Sequence, residues 1–353
     1  MDIDVLGTLA VRLDNVSITP TAPKPRQVLA LLALRAGQVV PVGVLAEELW
    51  GASPPRSARA TLQTYILQLR ELICAALDRA AKDAAALDRA AKDAAALDRA
   101  AKDAAAMDGA AMDGAAMDGA AMDGAAMDGA AKEGGVLDGG AMDGAAEGGG
   151  GVLDGGARGG SGGRRQAKDV LLTVPGGYLL KSGDGVSDVR EFERLAGSGY
   201  RAMDAEDYPQ AARLLRQALG LWSGPALADV HTGPQLRTEA KRLEESRLCA
   251  LDQRVEADLR LGRHRELLAE LTVLINQYPM HESLCGQYML ALYRSGRRGE
   301  ALDAYQRLRA TLVRTMGLEP SPALAKLQRS LLMSGPETLP ARPAMSASAV
   351  RAG

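Results

Sequence analysis

The sequence predicts a mainly α fold with a small β component, a winged helix-turn-helix domain followed by an all-α, tetratricopeptide-like domain. Three observations predict it. Short alternating runs precede three amphipathic segments, the third of which, residues 57–73, has an apolar stripe and an acid-free polar face. An apolar hairpin signal, VLLTVPGGYLLK at residues 170–181, follows a long low-complexity stretch. The turn glycines Gly262 and Gly296 lie 34 residues apart with small or apolar residues at matching offsets, the period of helix-pair repeats.

Residues 3–18 alternate as short strands, with Ile3, Val5, Leu9, Val11 and Leu13 as inward positions and turns at Gly7 and Asp14-Asn15. Pro23 and Pro25 open a helix carrying Val28, Leu29, Leu31, Leu32 and Leu34, and Gly37 closes it. Val39 and Val40 are extended. Pro41 starts a second helix with Val44, Leu45, Leu49 and Trp50, stopped by Gly51. Ser53 and Pro54-Pro55 form the turn into the third helix. There Leu62, Ile66, Leu69 and Ile73 recur at spacings of four, three and four and share one side. Arg59, Thr61, Gln63, Thr64, Gln68 and Arg70 lie between them, with no acid before Glu71. A face of this kind is either simply solvated or a surface that reads a polyanion.

A repeat follows. ALDRAAKDAA occurs three times from Ala76, and MDGAA recurs over residues 107–131 before a glycine-rich tail to about residue 163. Alanine and acid-base pairs four apart predict helix in the first part, which would prolong the third helix. A ten-residue period turns the leucines by roughly 80° per copy, so no lasting apolar stripe forms. Each glycine of the MDGAA part costs about 1 kcal/mol of helix stability, predicting a frayed or disordered segment. The near-identical copies read as a tolerated insertion, since loop length costs little. The resulting layout is a discontinuous winged-helix domain at residues 1–74 and 168–182, an insertion at 75–167, a helical domain at 187–333 and a disordered tail at 334–353.

In the helical half, Leu267, Leu271 and Leu274 follow Gly262 at five, nine and twelve residues, and Ala301, Tyr305 and Leu308 follow Gly296 at the same offsets. Residues 207–211 with Leu215 and Ala218 form a related unit. Three imperfect helix pairs with flanking helices are expected.

Composition excludes several classes. Cys74, Cys249 and Cys285 have no pair spacing, and His231, His264 and His281 no ligand spacing, so neither disulfides nor a metal site are expected. No run is apolar for long enough to span a bilayer, and the chain reads as a cytoplasmic, nucleoid-associated protein with no membrane partner. No nucleophile with a base and no phosphate loop is present, so neither catalysis nor a cofactor is expected. The formal charge of −2 is uneven: residues 74–157 hold sixteen acids against seven bases, a net of −9, leaving +7 on the remainder. A basic excess there suits a polyanion.

With LLALRAGQVV, VLAEELWG, PPRSARATLQTYILQLRELI, TVPGGYLL and ALGLWSGPALADV in view, the chain resembles the Streptomyces antibiotic regulatory protein family. The resemblance covers residues 1–73 and 168–333. It implies a winged-helix transcriptional activator of a secondary-metabolite gene cluster. Such a protein binds double-stranded DNA at promoter direct repeats, beside a second protomer, and contacts RNA polymerase. The ATPase modules of larger relatives do not follow the helical domain here, so nucleotide control is not expected. By similarity to response-regulator DNA-binding domains, Thr64, Gln68 and Arg70 match the usual contact positions, with Arg59 and Thr61 on the same face and Tyr65 in a mixed role. Lys24, Arg26, Arg56 and Lys181 are the candidate phosphate contacts. The alternative is a helical-repeat interaction adaptor whose winged helix binds no DNA.

Overall fold

The computed structural model describes residues 1–114, 166–183 and 185–333, so the expectations for the glycine-rich end of the insertion and for the tail lie outside the described residues. Strands β1 (Asp2–Asp4), β2 (Ala10–Leu13) and β3 (Val16–Ser17) form an antiparallel sheet. Leu13 pairs with Val16 across a two-residue turn in which Asp14 and Asn15 both take positive φ, 50° and 65°. Asp and Asn tolerate that region because their short side chains can bond locally.

Helix α1 (Pro23–Leu34) carries prolines in its first turn, where no intrahelical N–H partner is required. Its residues Val28, Leu29, Leu31 and Leu32 are wholly buried. Strand β4 (Val39–Pro41) leads into α2 (Val42–Trp50), which ends at Gly51, and α3 spans Ala58–Gly114. A one-turn helix α4 (Ala167–Val170) precedes β5 (Leu171–Val174) and β6 (Gly177–Leu180). These two strands form the expected hairpin, and the second sheet has the order β4-β6-β5 with Val40 opposite Tyr178 and Leu172 opposite Leu179. The wing is therefore completed by strands that follow the insertion.

Seven helices follow: α5 (Asp188–Asp204), α6 (Tyr208–Gly220), α7 (Pro234–Arg260), α8 (His264–Gln277), α9 (Glu282–Arg294), α10 (Arg298–Met316) and α11 (Pro322–Met333). Gly262 and Gly296 take φ of 77° and 80° in the turns before α8 and α10. Glu206 occupies the equivalent place before α6 at φ 58°. A left-handed position held without glycine is why the first unit is harder to align by sequence. The distal helices close on their own core, in which Leu271, Leu284, Met289, Leu292, Ala301 and Leu331 are fully buried.

The serial two-domain layout expected from sequence omits a shared core. Ile3, Val5 and Leu6 pack in one cluster with Phe192, Trp222, Leu227 and Leu236. The apolar face of the first sheet must be covered, and α5 covers it together with the segment between α6 and α7 that carries Trp222 and Leu227. Backbone groups cross the seam as well: Ser223 donates to the Leu6 carbonyl (2.9 Å), Leu227 to that of Val5 (3.0 Å) and Ala228 to that of Gly7 (2.9 Å). Three carboxylates complete it. Asp188 accepts the N–H groups of Val5 (2.6 Å) and Leu6 (2.7 Å); its burial pushes the carboxyl above the usual range, and those hydrogen bonds oppose the rise. Asp229 accepts from Leu9 N–H at 2.8 Å. Glu48, on α2 and 2% exposed, accepts from the N–H groups of Gly233 (2.6 Å), Gln235 (2.8 Å) and Leu236 (3.0 Å), satisfying the start of α7.

Ala76 is buried and Leu77 packs on the same core, so the first copy of the repeat still contributes to it. From residue 81 on, the helix exposes its leucines, and helical structure continues to Gly114, into the MDGAA part expected to fray. Two glycines there, at about 1 kcal/mol each, do not outweigh the alanine-rich flanks.

Candidate nucleic-acid interface

Helix α3 is held from behind. Leu62, Ile66, Leu69 and Ile73 are each only 1–2% exposed, and Tyr65 and Leu72 pack partly against the same cluster. At about 100° per residue the opposite side carries residues 60, 64, 67 and 71, flanked by 63 and 68. Gln63, Thr64, Leu67 and Gln68 are all exposed. The Thr64 hydroxyl donates to the Ala60 carbonyl at 3.2 Å, which leaves its oxygen free to accept. Exposed Glu71 closes this face toward the C-terminus, since a carboxylate is repelled by phosphate. Arg56 and Arg59 at the N-terminal end are exposed, as is Lys181 after the wing, and none has an ion-pair partner among the described residues. Thr61 and Tyr65 are half-buried on the flank.

Three sequence candidates have intramolecular work instead. Arg70 donates from Nε and a terminal nitrogen to the Leu171 carbonyl (3.2 and 2.9 Å) and from that nitrogen to Thr173 Oγ1 (2.7 Å). Its side chain lies on the flank that meets β5, and the guanidinium fork fixes the wing against the helix. Arg26 donates to the carbonyls of Pro20 and Leu9 (3.2 Å each) and pairs with Asp229, which engages it in the seam. Lys24 donates to the Leu49 carbonyl at 2.6 Å and to Gln27 Oε1 at 3.4 Å, linking α1 to α2. Sequence could not reveal the pairing with Leu171, Thr173, Asp229, Leu9 or Leu49, because each of these lies far along the chain from its partner.

The outward face also includes Gln63 and Leu67, whose offset from the Leu62, Ile66, Leu69 stripe places them outward although neither is among the expected contacts. Among the described residues no group of three or more His, Cys, Asp or Glu could hold a metal ion, and no helix is long and apolar enough to cross a membrane. Cys285 is buried, and burial pushes its thiol up to about 12, so it stays protonated and unreactive near neutral pH.

Comparison with known proteins fits this arrangement. Residues 17–82 match the C-terminal domain of transcriptional regulatory proteins, and residues 187–332 match the bacterial transcriptional activator domain. The chain is 40% identical over 336 residues to the regulatory protein DnrI of Streptomyces peucetius, covering 95% of this chain and 93% of that protein. It is 28% identical to the regulatory protein AfsR of Streptomyces griseus over 96% of this chain but only 25% of that larger protein. A solved structure of Mycobacterium tuberculosis EmbR in complex with a low-affinity phosphopeptide superposes with a TM-score of 0.64 at 25% identity, covering 94% of this chain and 64% of that one. A winged helix fused through one core to an activator domain, with end-to-end similarity to DnrI, places the protein: the chain belongs to the Streptomyces antibiotic regulatory protein family.

Proposed function

We propose that the protein is a sequence-specific DNA-binding transcriptional activator of a secondary-metabolite biosynthetic gene cluster. The observation that carries this reading is the outward face of α3, where Gln63, Thr64, Leu67 and Gln68 are exposed on a helix locked into the core behind and tied to the wing at Arg70. Such a helix suits the major groove, where glutamine amides pair with adenine and a hydroxyl serves any base. Arg56, Arg59 and Lys181 supply phosphate contacts that set register without reading sequence. Arg70 acts by positioning the wing.

Family membership supports the activator role and the type of target. In this reading the protein binds direct repeats near a promoter, a second protomer lies beside the first, and the helical half contacts RNA polymerase. The seam supports a specific geometry for that contact. With Glu48, Asp188 and Asp229 bonded across it, the helical half is carried in a fixed orientation from the DNA. The test is selection of duplexes from random-sequence DNA by the purified full chain, followed by titration over a range of salt. A single enriched motif, bound with affinity that falls as salt rises, is expected. Recovery of no common motif would overturn the reading.

A further inference from the structure

The outward face of α3 contains a residue whose chemistry is not that of a phosphate or amide contact. Leu67 is 57% exposed, and among the described residues of Ala58–Ala80 it is the one large apolar side chain that is exposed and not packed on the core. A single exposed leucine is by itself unremarked on a protein surface. Its position gives it meaning. It lies three residues after Thr64 and four after Gln63, next to Gln68, near the C-terminal end of the acid-free stretch and one turn before Glu71.

In the major groove one feature of the bases is apolar, the 5-methyl group of thymine. Glutamine is the side chain that pairs bidentately with adenine, and the thymine opposite that adenine presents its methyl group in the same groove. Gln63 and Gln68 on either side of Leu67 therefore set up a surface suited to A·T pairs, with an aliphatic group between two amides. We infer that Leu67 is a specificity-determining residue that packs on the 5-methyl group of a thymine. This inference rests on the DNA-binding reading above and adds to it the identity of one base and the atom by which it is read.

The experiment uses the full-length protein and the duplex it enriches from random-sequence DNA. Each thymine of that duplex is replaced in turn by deoxyuridine, which differs only in lacking the methyl group. The wild-type protein is expected to lose roughly four-fold in affinity at one thymine of each repeat, the factor that burial of one methyl group is worth. Leu67→Ala is expected to bind the thymine duplex more weakly by a similar factor and to bind the thymine and deoxyuridine duplexes equally at that position. Leu67→Met, which keeps the apolar reach, is expected to restore discrimination. The side chain has no part in the core, so unchanged melting should accompany both variants.

Wild-type indifference to deoxyuridine at every position would overturn the inference while leaving DNA recognition intact. So would a Leu67→Ala variant that keeps the wild-type ratio between thymine and deoxyuridine. Failure to enrich any duplex would instead remove the DNA-binding reading and this inference with it.

Discussion

The two parts of α3 use different physics to be the same secondary structure. Up to Ala80 the helix is specified by packing, with Leu62, Ile66, Leu69 and Ile73 buried and a wing strand bonded to Arg70. From Ala81 to Gly114 leucines again recur, yet Leu87 and Leu97 are each 72% exposed, and an exposed pair such as Lys92 with Asp88 at 2.7 Å is the kind of contact present. The first part has a face to offer because its other face is committed. The second is helical by alanine propensity, and its described leucines meet no core.

The comparison breaks first at the core that holds the front part. A fragment ending at Lys181 would leave Val5, Leu6 and Leu49 without Leu227, Val230 and Leu236, and Glu48 without its three N–H donors. We expect it to lose cooperative urea unfolding altogether; a fragment with a sharp, native-like transition would show that the winged helix stands alone. Next in size, Leu69→Ala should cost about 2–5 kcal/mol of stability as a cavity in a fixed core. Leu87→Ala should fall within about 0.5 kcal/mol, as a surface change does. Equal effects in urea titrations of the two variants would erase the distinction between the parts.

Much of this was legible in the sequence. The stripe at 62, 66, 69 and 73 set the inward face of the reading helix, and the Pro175-Gly176 turn flanked by apolar runs announced the wing despite the intervening repeat. What could not be read was which cations stay free. Arg70, Arg26 and Lys24 look like Arg59 and Arg56 in sequence. They differ only because Leu171, Asp229 and Leu49 arrive beside them through folding. The shared core was hidden for the same reason, since Val5 and Leu6 do not announce that their cover is Phe192 and Trp222. Leu67 is outward by its spacing, but an apolar residue on a polar face carries no signal of contact by itself.

Smaller effects sharpen the comparison at the DNA. Gln63→Ala and Gln68→Ala should each weaken binding of the enriched duplex by about 1–3 kcal/mol with unchanged melting, whereas Lys92→Ala should leave binding unaltered. Fluorescence anisotropy titrations decide this, and an effect confined to Lys92 would move the reading surface. Arg70→Lys should cost less, about 1 kcal/mol, because the ammonium cannot bond Leu171 and Thr173 as a fork does. The dependence of its affinity on salt should match the wild type, since no phosphate contact is lost. A shallower slope would make Arg70 a phosphate ligand after all.

The central claim is that DNA is read by the packed part of α3 with its wing, and that the extension takes no part. Residues 81–163 hold fifteen acids against seven bases, a net of −8. At physiological salt, screening over about 8 Å leaves most of that charge unfelt at the DNA. The most direct measurement replaces residues 81–163 with a flexible glycine-serine linker and compares the shortened and full chains on the enriched duplex across a salt series. The account predicts the same sequence preference, affinity within a few-fold, and a slight gain for the shortened chain that is larger at low salt. Loss of binding, or a changed preference among sequences, in a shortened chain that still unfolds cooperatively would contradict it.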